Sequence, residues 1–344
     1  MNYRSLADLN DTIIRNLHRL PRDIDLVVGV PRSGLLAANL FSLVTNIRLT
    51  DLDSFLEGRI YTSGTTKRHS GLERDIADMR RILILDDSIQ GGNAMRDARK
   101  RVEESGIQDR IEAEILFSAV YGAQSSHPEA DFIFEQVNHP CLFQWNFMHH
   151  SVLDKNCVVI DGVLCPAQIE QDNDGEEAYL QSLSEALPLH ATSRRIGYLV
   201  TTRPEKYRKL TEAWLERHDI RYGELIMADF PSRDEEQLLA ENSRFKADFY
   251  RKSDASLFIE NDYEQAQMIA KMSGKPVLCV EAHHISRPDS LSPVALRQQM
   301  RNLPIRLKQR RHETGRQLKG LARSMLGEAG YLTLKKLVRP KPKG

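Results

Sequence analysis

The feature that most constrains the fold is an uninterrupted apolar run that ends in two acids and is followed by a glycine pair. Residues 81–87 read RILILDD, and Gly91 and Gly92 then precede the helical stretch MRDARKRVEES. An apolar run without alternation is typical of a strand that is buried on both faces of a parallel sheet. The run IDLVVGV (24–30), followed by PRSG and an apolar helix, repeats the arrangement. The sequence therefore predicts an α/β fold with a mostly parallel sheet that is covered on both faces.

Further apolar runs divide the chain into two α/β units. The runs at 111–122 and 131–137 supply more strands to the first unit, and CVVIDGVL (157–164) opens the second. Strands of the second unit are predicted at 195–202, 254–260 and 275–281. A chain of 344 residues is also too long for one ordinary core. We predict domains at 1–148 and 149–290, followed by a basic amphipathic helical tail at 291–344.

Composition and charge indicate a soluble, cytoplasmic protein with an anionic partner. Hydrophobic residues make up 41% and charged residues 28% of the chain, and no apolar run approaches the roughly 20 residues of a membrane span. The N-terminus lacks the pattern of a secretory signal, and we expect the four cysteines to be reduced, buried thiols. Residues 297–344 hold fourteen of the 48 basic residues and only two of the 48 acids.

This basic tail predicts peripheral attachment at the inner face of the membrane. Clustered Lys and Arg gain about 1 kcal/mol each near anionic lipid. An acidic body with a basic tail usually has an anionic partner, and a solvated tail or a nucleic acid are the alternatives. No nucleic acid is expected, because the body is acidic and has no aromatic-rich binding face.

The segment 83–95, LILDDSIQGGNAM, carries the chemistry of the first half. A turn with Gly91 and Gly92 lets backbone N–H groups converge on a phosphate, and the helix that follows adds its positive end. Asp86 and Asp87 suit a ribose diol or a Mg²⁺ shell rather than the phosphate itself. In open α/β sheets, ligands bind at such strand ends.

The segment resembles the 5-phosphoribosyl 1-diphosphate signature of type I phosphoribosyltransferases. VVGVPRSGLLAA (27–38) resembles the first strand and the diphosphate loop of that family, and the basic loop 55–75 stands where the family has its flexible lid. The resemblance covers about 1–140. It implies that the donor is bound by Val30, Pro31, Arg32, Ser33, Gly34, Asp86, Asp87, Ser88, Ile89, Gln90, Gly91, Gly92, Asn93 and Ala94.

The resemblance also implies the mechanism. The bond from the ribose to the diphosphate would break through an oxocarbenium-like state, while Mg²⁺ and the main chain near 30–34 stabilise the departing diphosphate. Asp86 and Asp87 would hold the ribose. Three basic residues of the lid, which would otherwise be solvated, would reach the diphosphate on closure: Arg59, Lys67 and Arg68.

The phosphate loop departs from the family, which usually places hydroxyl side chains where Gly91 and Ala94 stand. Two side-chain hydrogen bonds to the 5-phosphate would then be missing, each worth about 0.5–3 kcal/mol. We expect Ser88 and Asn93 to compensate in part.

The second half resembles the haloacid dehalogenase superfamily of phosphatases over about 150–285. VIDGVLC (159–165) matches the first motif, LVTTRPEKYR (199–208) resembles the second and FIENDYEQA (258–266) the fourth. The resemblance implies a phosphatase-like Rossmannoid domain whose site comprises Asp161, Thr201, Lys246, Glu260 and Asp262. It also implies that three of these hold Mg²⁺: Asp161, Glu260 and Asp262.

The nucleophile of that superfamily is missing. It would be an aspartate two residues before Asp161, and this chain has Val159 there. Valine can neither attack phosphorus nor bind Mg²⁺, and Asp154 lies five residues too early to replace it. We therefore expect an inactive domain that scaffolds or binds a phosphorylated sugar, with an active domain altered at this residue as the alternative.

The pairing of the two halves predicts the function. Such fusions resemble enzymes that place ribofuranose on bacterial surface polysaccharides, where the acceptor is a lipid-linked glycan. We predict a pentosyl-transferring glycosyltransferase that adds ribofuranose 5-phosphate, with a separate phosphatase to remove the phosphate. The alternatives are a nucleobase (orotate-like) phosphoribosyltransferase, a bifunctional transferase and phosphatase, and a non-catalytic regulator that senses 5-phosphoribosyl 1-diphosphate.

Overall fold

The computed structural model describes residues 1–61, 75–167, 171–228 and 235–289. Met1–Pro288 form one compact unit. Most of the predicted lid and the whole basic tail at 297–344 lie outside the described residues. Because residues 1–288 form one compact unit, the structure does not mark a boundary between residues 148 and 149, and that boundary stays a prediction.

The first half is built on five parallel strands. These lie in the order β3-β2-β4-β5-β6, and β1 pairs with β7 in a separate parallel ladder. The strands are β1 (Asn2–Arg4), β2 (Leu26–Gly29), β3 (Arg48–Asp51), β4 (Arg81–Ile89), β5 (Glu114–Gly122), β6 (Phe132–Gln136) and β7 (Cys141–Phe143). The helices are α1 (Leu6–Asn16), α2 (Ser33–Thr45), α3 (Leu52–Leu56) and α4 (Asn93–Glu104).

The apolar run of β4 is continuous because both of its faces are buried. Leu83 and Leu85 pack into one core cluster together with α1 and α2. Ile82 and Ile84 pack into a second cluster together with α3 and α4. Successive side chains of a strand point to opposite faces, so a strand between two helical layers needs apolar residues throughout. The predicted parallel sheet, covered on both faces, is confirmed.

The second half contains a six-stranded sheet in the order β10-β9-β8-β11-β12-β13. Its first five strands are parallel, and β13 runs antiparallel to β12. The strands are β8 (Cys157–Val158), β9 (Ile196–Pro204), β10 (Tyr222–Ala228), β11 (Phe258–Glu260), β12 (Val277–Cys279) and β13 (His284–Ser286). The helices are α5 (Gln171–Glu185), α6 (Arg208–Arg217), α7 (Glu235–Lys252) and α8 (Tyr263–Ser273).

The chain order of the strands reverses beside β8. From β8 the chain builds outward through β9 and β10, and β11 then lies on the other side of β8. In sheets of this kind, ligands bind at such a switch point, outside the carboxyl ends of the strands. Asp161 and Asn261, which follow β8 and β11, therefore lie where a ligand is expected.

Two further expectations can be compared with the structure. All four cysteines are free and buried, as predicted. Within the described ranges, every helix is too short or too polar to cross a bilayer.

Candidate functional site

The two acids of the first half lie inside β4 rather than at its end. The strand continues to Ile89, and it pairs with β5 as far as Gly122. Asp86 and Asp87 are 7% and 3% exposed, so both carboxyl groups are withdrawn from bulk water. The prediction that the strand ends in the acids was therefore wrong by two residues, because β5 offers hydrogen bonds beyond them.

Asp87 joins three separate segments of the chain. The Ser33 hydroxyl donates to its Oδ1 at 2.9 Å, and the indole Nε1–H of Trp145 donates to its Oδ2 at 2.7 Å. Both carboxylate oxygens therefore have a donor. The first of these hydrogen bonds connects β4 to the predicted diphosphate loop, and neither of the two was predicted from the sequence.

Asp86 has an unusual protonation equilibrium. Burial, followed by the charge of the adjacent Asp87 and a hydrogen bond that the protonated Asp86 donates to the Asp87 side chain, raises the pKa of Asp86 from 3.8 to about 8. The backbone N–H of Asp87 donates to Asp86 Oδ1 at 2.8 Å. A buried carboxyl group that holds its proton near neutral pH is typical of functional sites, and it can donate as well as accept a hydrogen bond.

The predicted diphosphate loop packs directly on Asp86. Val30 N–H donates to the Leu85 carbonyl at 3.1 Å, a cis peptide bond joins Pro31 to Arg32, and α2 begins at Ser33. A Cβ at Gly34 would lie 2.8 Å from Leu85 O and 2.9 Å from Asp86 Oδ1. Only glycine therefore lets the first turn of α2 approach the acids this closely.

The predicted phosphate turn joins β4 to α4. Gly92 adopts φ +73° at the N-terminus of α4, and a Cβ there would lie 2.3 Å from Cε1 of His127. Around Gly91, by contrast, no heavy atom lies within 4 Å of the Cβ position. The first glycine of the pair leaves space above the turn, and the second allows the left-handed backbone and the contact with His127.

The other residues predicted to bind the phosphate in this turn differ in how far they are buried. Ile89 is buried, Ser88 is half-buried, and Gln90 and Ala94 are exposed. The side-chain oxygen of Asn93 accepts a hydrogen bond from Arg96 Nη1 at 3.0 Å. Asn93 is thus engaged with its own helix, and the compensation for the missing hydroxyls that we expected from it stays a prediction.

The basic residues assigned to the lid are only partly described. Arg59 is exposed and forms an ion pair with Glu57. Lys67 and Arg68 lie outside the described residues. A closing movement toward the diphosphate loop therefore stays a prediction.

A Mg²⁺ ion at the first site stays a prediction, and it would have to be held mainly by the bound ligand. The described part of the chain contains no group of three or more His, Cys, Asp and Glu side chains able to hold a metal. Mg²⁺ in phosphate sites keeps several waters and binds one or two carboxylates together with phosphate oxygens. Asp87 would provide one carboxylate, and Asp86 would provide a second only after it has lost its proton.

Trp145 belongs to a ladder of aromatic rings that leads away from the acids. Its ring stacks on Phe143 with centroids 4.9 Å apart, and Phe143 stacks on Tyr121 at 5.5 Å. These contacts fix the indole so that its N–H meets Asp87. Trp145 lies 58 residues after Asp87 in the sequence. No local pattern around either residue predicts that they are in contact.

In the second half, Asp161 is held by an arginine that the sequence did not single out. Arg203 Nε donates to Asp161 Oδ2 at 3.0 Å, and Arg203 Nη2 donates to Oδ1 at 2.7 Å. The Thr201 hydroxyl donates to Oδ2 at 3.2 Å. The structure thus brings together the predicted residues Asp161 and Thr201, and it adds Arg203, which is 2% exposed.

The remaining predicted residues of the second half form a separate cluster. Lys246 Nζ donates to Glu260 Oε2 and to Gln265 Oε1, both at 2.8 Å. Asp262 caps α8 by accepting from the backbone N–H of Gln265 at 2.7 Å. Val159 stands where the phosphatase superfamily has its nucleophile, and it is 2% exposed.

This arrangement does not fit a Mg²⁺ ion held by Asp161, Glu260 and Asp262. Both oxygens of Asp161 accept from Arg203, and Glu260 is paired with Lys246. Each carboxylate would have to leave a cationic partner before it could bind a metal. The residues that the resemblance assigns to a metal instead form two ion pairs and a helix cap.

Comparisons with known proteins support a phosphoribosyltransferase-type fold. The chain is 30% identical over 132 residues to amidophosphoribosyltransferase from Synechococcus elongatus. This similarity covers 36% of the chain but only 23% of that enzyme, so the chain spans about a quarter of the curated relative that it matches. No family model matches the chain.

Solved structures of low similarity include two nucleobase enzymes. Xanthine-guanine-hypoxanthine phosphoribosyltransferase from Helicobacter pylori is 15% identical with a TM-score of 0.30, and it covers 42% of this chain and 92% of its own. A purine phosphoribosyltransferase from Pyrococcus horikoshii is 18% identical with a TM-score of 0.29 and the same coverage. The parallel sheet and the similarity to the Synechococcus enzyme support the coarser prediction, a phosphoribosyltransferase-type α/β fold.

Proposed function

We propose that the chain transfers the phosphoribosyl group of 5-phosphoribosyl 1-diphosphate to an acceptor. The observation that carries this proposal is the contact of the predicted diphosphate loop with the acid pair, where Ser33 donates to Asp87 and Gly34 packs on Asp86. A diphosphate bound at residues 30–34 would therefore lie beside the carboxyl groups that hold the ribose. The sequence similarity to an amidophosphoribosyltransferase supports the same donor.

The residues of the site have distinct roles in this proposal. The N-terminus of α2 offers backbone N–H groups and a positive dipole end to the departing diphosphate. Asp87, fixed by Ser33 and Trp145, accepts from one ribose hydroxyl, and Asp86 exchanges hydrogen bonds with the other. The open space above Gly91 admits the 5-phosphate to the N-terminus of α4. Mg²⁺, when bound, neutralises charge on the leaving diphosphate.

The donor assignment is tested with the double variant Asp86→Asn, Asp87→Asn. We expect loss of transfer with an unchanged circular dichroism spectrum, since Asn keeps the shape of each side chain but removes the charge. The matched control is Asp97→Asn with Asp109→Asn, two exposed acids of the same half. Turnover of the first variant at the wild-type rate would refute the donor site.

The acceptor that we propose is a lipid-linked glycan, with the chain acting as a pentosyl-transferring glycosyltransferase in surface polysaccharide synthesis. A nucleobase is the second candidate, and Trp145 favours it. Its indole is half-buried beside Asp87, and an aromatic ring next to a ribose site can stack on a planar acceptor. Incubation of the labelled donor with nucleobases and with lipid-linked glycans separates the two. Consumption of neither acceptor, with tight donor binding, would favour a sensing regulator.

The second half, in this proposal, does not hydrolyse the product. Val159 offers no nucleophile and is buried, and Arg203 engages the carboxylate of Asp161. The product made by the purified chain should therefore keep its 5-phosphate, which a separate phosphatase would remove. Mass spectrometry of the product is the test. A dephosphorylated ribosyl product would instead indicate a bifunctional transferase and phosphatase.

The basic tail is proposed to attach a cytoplasmic protein to the inner face of the membrane. Residues 297–344 carry fourteen basic residues and two acids. Deletion of 297–344 should release the protein from anionic vesicles at low salt while transfer to a water-soluble acceptor persists. Neutral phosphatidylcholine vesicles serve as the control. Equal binding to anionic vesicles with and without the tail would exclude this role.

A further inference from the structure

His127 lies against the glycine at which the predicted phosphate turn ends. A Cβ at Gly92 would lie 2.3 Å from Cε1 and 3.0 Å from Nε2 of the imidazole, so the ring rests on the main chain where α4 begins. The contact joins the segment between β5 and β6 to the turn between β4 and α4. The His127 side chain is half-buried, which leaves part of the ring accessible to a ligand.

The hydrogen bond of the imidazole determines which of its nitrogens carries the proton. The backbone N–H of Glu129 donates to Nδ1 of His127 at 3.1 Å, so Nδ1 is an acceptor. In a neutral imidazole the other nitrogen then carries the hydrogen. Across the described ranges, no protein atom accepts a hydrogen bond from Nε2. His127 therefore presents one N–H donor that the chain itself does not use.

The segment that carries His127 is fixed to α4. The backbone N–H of Ala130 donates to the His127 carbonyl at 3.1 Å, which closes a four-residue turn. The Glu129 carboxylate pairs with Arg96 at 2.8 Å, and Arg99 Nε donates to the Glu129 carbonyl at 3.2 Å. The imidazole is thus held at the N-terminus of α4 before any ligand binds.

The turn between β4 and α4 has few side chains of its own that could bind an anion. Gly91 and Gly92 have none, and Ala94 is apolar. The side-chain oxygen of Asn93 accepts from an arginine of α4. What remains is the backbone N–H groups and the positive end of the helix. The Nε2–H of His127 adds a side-chain donor at the place where the turn lacks one.

We propose that His127 binds the 5-phosphate of the donor through its Nε2–H and so selects a phosphorylated ribose. The inference rests on the proposed function, because it takes the 5-phosphate to lie at the N-terminus of α4. The imidazole donates to one phosphate oxygen from the β5–β6 segment, while backbone N–H groups of α4 bind the others. A hydrogen bond to a charged acceptor is among the stronger ones in proteins, so selectivity for the phosphate depends on this side chain.

The variant His127→Asn isolates the contribution of Nε2. An asparagine side chain accepts from the backbone N–H two residues on, as Nδ1 does from Glu129, so the turn is preserved while the Nε2 donor is lost. His127→Gln keeps an amide N–H at about the reach of Nε2 and should restore part of the binding. His18→Asn, which changes an exposed histidine of the same half, is the matched control.

Calorimetric titration of the full-length proteins in Mg²⁺ is the main test. The ligands are 5-phosphoribosyl 1-diphosphate, ribose 5-phosphate and inorganic diphosphate. His127→Asn should bind the first two about tenfold or more weakly than the wild type, and should bind diphosphate as the wild type does. His127→Gln should lie between these two proteins, and His18→Asn should match the wild type with every ligand.

A second measurement needs no substitution. In the wild-type chain labelled with ¹⁵N and ¹³C, the Nε2 resonance of His127 is assigned by correlation through the side chain. Ribose 5-phosphate should shift this resonance, because the N–H gains an acceptor. Inorganic diphosphate, which binds at residues 30–34 in the proposed function, should leave it in place.

Three results would overturn the role of His127. Wild-type affinity for 5-phosphoribosyl 1-diphosphate in a folded His127→Asn variant is the first. Equal weakening of all the ligands is the second, since it would show a structural role alone. An Nε2 resonance that ribose 5-phosphate does not shift is the third, and it holds even if His127→Asn fails to fold. Failure of the proposed function looks different: the wild type itself would not bind 5-phosphoribosyl 1-diphosphate, and the role of His127 would fall with it.

Discussion

The indole N–H of Trp145 donates to Asp87 Oδ2 at 2.7 Å. Through this hydrogen bond, the segment after β7 fixes an acid in the middle of β4. The Ser33 hydroxyl holds the other oxygen of the same carboxylate, so the orientation of Asp87 depends on three distant parts of the chain. The site is thus held in place by tertiary contacts before any ligand binds.

Trp145→Phe should destabilise the first half. Phenylalanine preserves the stacking on Phe143 but leaves Asp87 Oδ2 without its donor, which we expect to cost about 1.5–3 kcal/mol. Urea unfolding followed by circular dichroism measures the change. Trp145→Phe combined with Asp87→Ala should lose less than the sum of the two single variants, because both remove the same hydrogen bond. Additive losses would contradict the contact.

The protonation of Asp86 predicts a stability that falls as pH rises. Its pKa is 3.8 in the unfolded reference and about 8 in the fold, so the folded state binds a proton that the unfolded state releases between about pH 4 and pH 8. The free energy of unfolding therefore decreases across this window, by on the order of a few kcal/mol.

Asp86→Asn should remove that dependence. The variant should be less sensitive to pH than the wild type and at least as stable at pH 8, where the wild type has lost most of the contribution of the bound proton. Urea unfolding at pH 5 and pH 8 measures the difference. The exposed Asp97→Asn variant is the control and should keep the wild-type slope. The same slope in Asp86→Asn would mean that another group is responsible.

Gly34 and Gly91 should respond differently to the same added methyl group. A Cβ at Gly34 would lie within 3.0 Å of Leu85 and Asp86 atoms, whereas Gly91 has no heavy atom within 4 Å of that position. Gly34→Ala should therefore lower the free energy of unfolding by about 1–3 kcal/mol, while Gly91→Ala should be nearly neutral. Thermal unfolding of the two variants side by side is the measurement. Equal stabilities would indicate that α2 can move away from β4.

Removing only the cation of the buried ion pair between Lys246 and Glu260 should destabilise the protein more than changing both residues. Lys246→Met leaves the Glu260 carboxylate, which is 2% exposed, without its cation, at a cost of about 3–5 kcal/mol. Adding Glu260→Gln to that variant should recover part of the loss, because a neutral amide needs no counter-ion. Chemical denaturation of the single and double variants decides the point. No recovery in the double variant would show that packing, rather than charge, dominates.

Several features of this chain could be predicted from its sequence because they arise from local patterns. The unbroken apolar run of β4 predicts that both faces of the strand are buried. A strand between two helical layers needs such a run. The prediction that Gly34, Asp86 and Asp87 belong to one site came from the order of strand, acids and glycines. The structure places Gly34 against Asp86, and the role of these residues in binding a donor stays a prediction. The prediction that Val159 stands where a nucleophile would be rests on the resemblance of a short local motif, and it stays a prediction.

Other features depended on how distant segments meet. The edge strand β10 was not predicted, because its residues are only partly buried and give a weaker apolar signal. The partnership of Arg203 with Asp161 joins residues 42 positions apart, and that of Trp145 with Asp87 joins residues 58 positions apart. Local patterns determined the elements and the candidate residues. Only the tertiary structure decided the partner of each buried charge, since a buried carboxylate takes whichever donor the packing of remote segments brings to it.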